Sequence, residues 1–315
     1  MLSQSIAVAL RGDPVSAEAD SSRKAAQEGF DKAKSAEMGK RKEISRRGLR
    51  GTEREMAIEA EIAPLEQEVR RTRGVWLSAL QEAVPRRELA LGKHIDCAAK
   101  QYREYAAGFL QGADIRHREP LDFLADFASD ACVERSGRVS ATPFCFITGS
   151  GHQYFLDTAR ELMDKVTAEL VRAALFEPWT YANETLSMRW DPAEDRRYAL
   201  LDRDPTASGN KPRTVWMANL LAYRALALFP SAPTAWGLRT TGWGRSRETF
   251  TWPMWEAAAA PDMIRSLLLL DELGASIPDR SELQAQGVVA VYQSRRIRVG
   301  SGANFTINFT PARAI

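Results

Sequence analysis

The sequence has little of the chemistry that disulfide-rich domains and metal sites need. It contains only three cysteines, Cys97, Cys132 and Cys145, and three histidines. An odd number of widely spaced cysteines argues against a disulfide framework and fits a reducing compartment. His94 and Cys97 are three residues apart, but no second pair completes a tetrahedral ligand set. We therefore expect no metal and no cofactor.

Long apolar runs are also missing. No stretch approaches the roughly 18 residues needed to cross a bilayer, and the N-terminus has neither the basic start nor the apolar core of an export signal. The net charge is only +2 over 315 residues, which excludes a uniformly basic coat for nucleic acid but allows local basic surfaces. We expect a cytoplasmic protein with no membrane partner and enough chain for one large domain or two ordinary ones.

Composition divides the chain into two regions. Residues 1–112 are rich in helix formers and carry few large apolar side chains in their first half. A short apolar stripe follows at alternating spacings of four and three: Ile58, Ile62, Leu65 and Val69. This pattern predicts a helical extension, a docking or hairpin element too short for a long coiled coil. Residues 113–315 mix short helices and strands, which predicts an α+β core, or an α/β core.

One stretch of the core, Pro143–Leu156, reads as a strand, a glycine turn and the start of a helix that runs to about Leu175. Phe144, Phe146 and Ile147 predict the strand. The free backbone N–H groups at the helix start offer a docking point for a phosphate or carboxylate. The side chains concerned are Ser150, His152 and Gln153. The same succession recurs throughout α/β proteins, so a purely structural role also fits.

This turn lacks the signatures of catalysis. Ser150 is not in a Gly-x-Ser-x-Gly elbow, although His152 is close by, and the spacing matches neither a Walker loop nor a dinucleotide fingerprint. Asp191, Glu194 and Asp195 form an acidic cluster with arginines on both sides. An internal salt-bridge network explains that cluster better than metal-assisted phosphodiester cleavage. We predict that the protein is not an enzyme.

Arginines cluster on two predicted β segments. Arg239, Arg245 and Arg247 lie on a predicted hairpin of Leu238–Trp243 with Phe250–Trp252, and Arg295, Arg296 and Arg298 lie on a predicted strand near the C-terminus. Arginine suits bidentate contact with phosphate, so we expect these residues, together with Arg189 and Lys211, to bind nucleic acid.

Tryptophans accompany these arginines. Seven of the eight tryptophans lie between Trp179 and Trp255, where they can stack on exposed bases. Tryptophans at this density also commonly form core, with arginines covering their ring faces.

Several blocks of the second region, taken in order, carry a family resemblance. They are Thr142-Pro143-Phe144 through Gly149-Ser150-Gly151-His152-Gln153, Arg189-Trp190-Asp191-Pro192, Asp195-Arg196-Arg197-Tyr198-Ala199-Leu200, Ala218-Asn219, Leu228-Phe229-Pro230 and Phe250-Thr251-Trp252-Pro253. Their order resembles the large-subunit proteins of type I CRISPR surveillance complexes (Cascade), closest to the type I-G group, formerly I-U. The resemblance covers roughly Pro120 to the C-terminus, and the helical first third departs from it.

The resemblance implies a non-catalytic subunit of an RNA-guided DNA surveillance complex. Such a subunit helps hold the guide RNA, recognises the protospacer-adjacent motif in target double-stranded DNA and recruits a nuclease-helicase. Its partners would be the guide RNA, the target DNA, the filament subunits of the same complex and the recruited nuclease-helicase. Two alternatives stay open: an assembly scaffold that binds protein partners only, and an enzyme that uses Ser150, His152 or the acidic cluster.

Overall fold

A computed structural model describes residues 1–110, 118–147, 154–192, 213–275, 278–301 and 304–315, and it shows a mixed α+β fold with a helical N-terminal region. The chain forms two compact units. One comprises residues 13–90, and the other comprises residues 1–12 with 91–315. The helical unit thus ends before residue 112, and residues 91–110 pack with the larger unit. No helix in the described ranges is both long enough and apolar enough to span a bilayer.

The smaller unit is built from helices α2 (Ala17–Arg46), α3 (Gly51–Glu61) and α4 (Ala63–Glu82). Helix α2 begins where the Ser16 hydroxyl accepts a hydrogen bond from the amide of Ala19. Pro64 falls in the first turn of α4, where its missing N–H costs nothing. The rings of Phe30 and Trp76 stack at 5.4 Å between α2 and α4, which adds an aromatic contact to the apolar cluster of Ile44, Ala57 and Ile62.

The larger unit contains the other helices of the described residues. They are α1 (Leu2–Arg11), α5 (Ala99–Leu110), α6 (Glu119–Phe127), α7 (Phe155–Asp164), α8 (Ala168–Phe176), α9 (Trp216–Ala225), α10 (Pro261–Leu268) and α11 (Arg280–Ala285). Phe123, Phe127, Phe155 and Tyr223 are fully buried and pack ring against ring. These four rings hold α6, α7 and α9 together.

Among the described residues, strands form three antiparallel sheets. Strand β1 (Asn183–Glu184) pairs with β2 (Arg213–Thr214), and β3 (Ser231–Thr234) pairs with β4 (Gly237–Thr240). The largest sheet has the order β5 (Thr249–Trp255), β6 (Val288–Ser301) and β7 (Asn304–Phe309), and β8 (Arg313–Ala314) also pairs with β6. Antiparallel pairing throughout this part of the chain is typical of an α+β protein.

The predicted strand at Phe144–Ile147 is wrong. This segment is buried but irregular, and its backbone makes turn-like bonds, such as that from the Cys145 amide to the Thr142 carbonyl at 3.1 Å. The ring of Phe144 packs against Phe250 and Trp243 at 5.0 and 5.2 Å. The apolar side chains at these positions therefore pack in an aromatic core and not in a sheet. A short apolar run in the sequence does not distinguish these two cases.

Three other features of the structure differ from the sequence prediction. The helix expected to run to Leu175 divides into α7 and α8, because the Thr167 side chain caps a new helix by accepting from the Leu170 amide. Residues 187–190 are not a strand. Strand β4 pairs with β3 and not with the segment 250–252, although a single bridge joins Trp243 to Phe250.

Candidate nucleic-acid interface

Strand pairing brings residues of the two predicted arginine clusters together. Thr249 opposes Arg295 across strands β5 and β6, and the Arg296 amide donates to the Glu248 carbonyl at 2.7 Å. The turn that precedes β5 therefore lies against the centre of β6. Arg247 in this turn becomes a neighbour of Arg296, whose charge acts on it, whereas Arg295 points to the opposite face of β6.

Glycines close the turn that carries Arg245 and Arg247. Gly242 has a φ of 76°, and a Cβ atom there would lie 2.8 Å from the Phe250 ring. A Cβ at Gly244 would lie 2.5 Å from the Thr249 hydroxyl, and the Gly244 amide donates to the Thr249 carbonyl at 2.9 Å. A side chain at either position would push the turn away from β5, so these glycines help to position Arg247.

Arg247 is half-buried and reaches across to a distant loop. Its guanidinium donates to the Ser140 hydroxyl at 3.3 Å and to the Ala141 carbonyl at 2.5 Å. Its Nε is buried and has no hydrogen-bond partner among the described residues. Burial lowers the pKa of this guanidinium, and the positive charge of Arg296 lowers it further. The negative charge of Glu134 acts in the opposite direction but does not outweigh these two effects.

Arg296 is half-buried as well, and it is held by an aromatic ring. Its guanidinium carbon lies 5.5 Å from the centroid of the Phe146 ring. Its Nε is buried without a partner in the described part of the chain, and burial lowers its pKa. Within the described residues neither Arg247 nor Arg296 makes an ion pair with a carboxylate. Two adjacent guanidinium groups of this kind are most stable when an anion lies between or beside them.

The remaining predicted arginines have more ordinary environments. Arg295 is exposed and its guanidinium lies 3.9 Å from the carboxylate of Glu248, which is exposed too, so this pair contributes little to stability. Arg245 is exposed in the turn, and Arg298 is exposed two residues beyond Arg296 on the same face of β6. Both therefore lie at the edge of the Arg247–Arg296 site.

Arg239 and Arg189 lie elsewhere in the fold. Arg239 is exposed on β4, in a different sheet. Arg189 is half-buried with a φ of 62°, in the segment that precedes Trp190. The other predicted residues, Ser150, His152, Gln153 and Lys211, lie outside the described residues.

A buried thiol and imidazole form the one cysteine–histidine contact in the described ranges. The Cys145 sulfur lies 3.8 Å from both ring nitrogens of His94. Burial raises the pKa of the Cys145 thiol and lowers that of the His94 imidazole. Both groups are neutral near pH 7, which is the opposite of the thiolate that a nucleophilic cysteine needs. Within the described residues no three His, Cys, Asp or Glu side chains are grouped to hold a metal ion.

The sequence indicated Arg247 and Arg296 but not the groups that hold them. Ser140, Ala141 and Phe146 lie more than 100 residues away in the chain from the arginines that they contact. No local pattern signals such contacts.

Comparison with protein-family models, with curated proteins and with solved structures finds no match for this chain. The geometry of the arginine site is therefore the main guide to function.

Proposed function

We propose that this protein binds the phosphate backbone of a nucleic acid and does so without catalysing a reaction. The observation that carries the proposal is the Arg247–Arg296 site, where two half-buried guanidinium groups are adjacent and each has a buried Nε without a partner in the described structure. Arg245 and Arg298 extend the positive surface beyond this pair. A row of arginines along a turn and a strand matches the repeated negative charge of a polynucleotide better than a single small anion.

The narrower role that we propose is a non-catalytic subunit of an RNA-guided DNA surveillance complex. It rests on the sequence blocks of the type I CRISPR resemblance. Residues from three of these blocks, Trp190, Asn219 and Trp252, line one cleft beside the arginine site. In this role the protein would contact guide RNA and target duplex DNA in the cytoplasm, together with filament subunits and a recruited nuclease-helicase.

Binding of labelled oligonucleotides by the purified full-length chain tests the proposal. Single-stranded RNA, single-stranded DNA and duplex DNA would each be titrated at several salt concentrations. Affinity should fall with salt on a log–log plot, with a slope near 0.9 per phosphate contact on duplex DNA and about 0.7 on single strands. Absence of binding to all three at low salt would favour the scaffold alternative. Cleavage of any of them by the pure chain would favour an enzyme.

A further inference from the structure

A cleft of about 330 Å³ opens between helix α9 and the face of strands β5 and β6. Its walls are mainly apolar and include five aromatic side chains, Trp179, Trp190, Phe250, Trp252 and Phe309. The proposed function uses the arginines nearby but assigns no occupant to this space. Its shape and chemistry indicate what it binds.

The indole N–H groups of two cleft tryptophans are bonded within the protein. The N–H of Trp190 donates to the Phe144 carbonyl at 2.8 Å, and that of Trp179 donates to the Ala174 carbonyl at 2.9 Å. A ligand in the cleft would therefore meet the apolar rings of these side chains and not their N–H groups. Trp179 keeps 47% of its surface exposed, so part of its ring is open to a ligand.

A stack of parallel rings continues along the sheet. Trp252 lies between Phe250, at 5.2 Å and 23°, and Tyr292, at 6.1 Å and 22°. A flat aromatic ligand can extend such a stack. At the rim of the cleft, the Asp191 carboxylate accepts a hydrogen bond from the Tyr181 hydroxyl at 2.5 Å.

The cleft and the arginine site share one face of strand β6. Ser294 lines the cleft, and Arg296 follows two residues later on the same face, about 7 Å further along. Phe309, which opposes Arg296 on β7, also lines the cleft. A group bound in the cleft is therefore within reach of a phosphate bound by Arg296.

We propose that the cleft binds an unpaired nucleobase of a single strand whose adjacent phosphates are held by Arg247 and Arg296. The inference rests on the proposed function, because it assigns the base site that belongs to that phosphate site. The apolar walls of the cleft accept the base, and the two arginines hold the adjacent phosphates. Stacking is tolerant of sequence, since every base has a π face.

Abasic oligonucleotides separate the base from the phosphates. Two single-stranded DNA oligonucleotides of equal length and charge would be compared, one with all its bases and one abasic throughout its central part. The native protein should bind the abasic strand roughly tenfold to a hundredfold more weakly. Trp179→Ala should bind the normal strand more weakly by a similar factor and should show little further loss on the abasic strand. Trp179→Phe, which keeps a ring, should recover part of the affinity.

Trp236→Ala is the matched control. Trp236 is 83% exposed and follows strand β3, outside the cleft, so its removal should leave the preference for the normal strand unchanged. Equal binding of both strands by the native protein would overturn the base site and leave the phosphate site standing. Failure of the native protein to bind either strand would overturn the proposed function itself. The unfolding midpoint of each variant shows whether it is folded.

Discussion

Arg247 and Arg296 are adjacent positive charges, and neither forms an ion pair with a carboxylate in the described structure. The hydrogen bond from the Arg296 amide to the Glu248 carbonyl, 2.7 Å long, fixes their proximity. Each has a buried Nε without a partner there, and the charge of Arg296 lowers the pKa of Arg247. Such a pair costs stability in the absence of an anion. Local conflicts of this kind are typical of functional sites.

Replacing Arg296 by an apolar side chain should not destabilise the protein. Arg296→Met removes a like-charge contact and an unpartnered buried Nε, so we expect the free energy of unfolding at neutral pH to stay unchanged or to rise by about 1 kcal/mol. Urea denaturation measures it.

Arg160→Met is the contrasting control for that measurement. Arg160 is also buried, but it donates to the Gly92 carbonyl at 3.0 Å and forms an ion pair with Asp157. Its loss should cost about 3 kcal/mol or more, because buried partners are left behind. Equal destabilisation by both changes would show that Arg296 is a structural residue.

Ile62 should be essential to the helical unit. Its side chain is fully buried where α3 meets α4, against Ile44 and Ala57. Ile62→Ala should lower the free energy of unfolding by about 2–5 kcal/mol, as measured by urea denaturation followed by circular dichroism. Met56→Ala, which changes a side chain with 65% exposure on α3, should have an effect below about 0.5 kcal/mol. A loss at Ile62 no larger than that at Met56 would contradict the packing described.

Asp126 should make stability depend on pH. Its carboxyl is fully buried, accepts one hydrogen bond from the Thr142 hydroxyl at 3.3 Å, and has an Oδ2 without a partner in the described structure. Burial raises its pKa well above the usual value. The folded protein therefore keeps a proton that the unfolded chain releases near pH 4, so this group makes the fold less stable as pH rises above about 4.

Asp126→Asn should remove that contribution. The free energy of unfolding of the variant, relative to the native protein, should increase as pH is raised from about 4 to 7. Asp279 is a control of opposite sign, since hydrogen bonds from residues 281 and 282 lower its pKa. The ionised Asp279 carboxylate therefore stabilises the folded protein above about pH 4. This stabilisation is lost as the pH falls through the lowered pKa of Asp279. A difference between native protein and Asp126→Asn that is constant with pH would contradict a buried, protonated carboxyl.

The sequence predicted the α+β class and the helical N-terminal region because both follow from local patterns. Helix formers fill residues 17–82, and Pro64 falls where a helix can begin. Strand β6 was also predicted, from alternation around Val289 and Val291. These features depend on residues that are close together in the chain, and so they can be predicted from the sequence alone.

Pairings between distant segments could not be predicted in the same way. Strands β5 and β6 are more than 30 residues apart, and the expected partner of the segment 250–252 was the nearer segment at Leu238. The run Phe144–Ile147 was predicted as a strand from its apolar sequence. A buried strand and a buried segment of an aromatic cluster have the same apolar pattern in the sequence. The sequence prediction therefore named Arg247 and Arg296, but it did not predict that they lie side by side.

The salt dependence of oligonucleotide affinity tests the Arg247–Arg296 site most directly. The double variant Arg247→Gln with Arg296→Gln would be compared with Arg54→Gln combined with Arg280→Gln, which removes the same charge from exposed positions. The site predicts a log–log slope on single-stranded DNA that is smaller by about 1.4 in the first variant, which corresponds to two phosphate contacts, and nearly unchanged in the second. An affinity and a slope that are unaltered when Arg247 and Arg296 are replaced in a folded protein would contradict it.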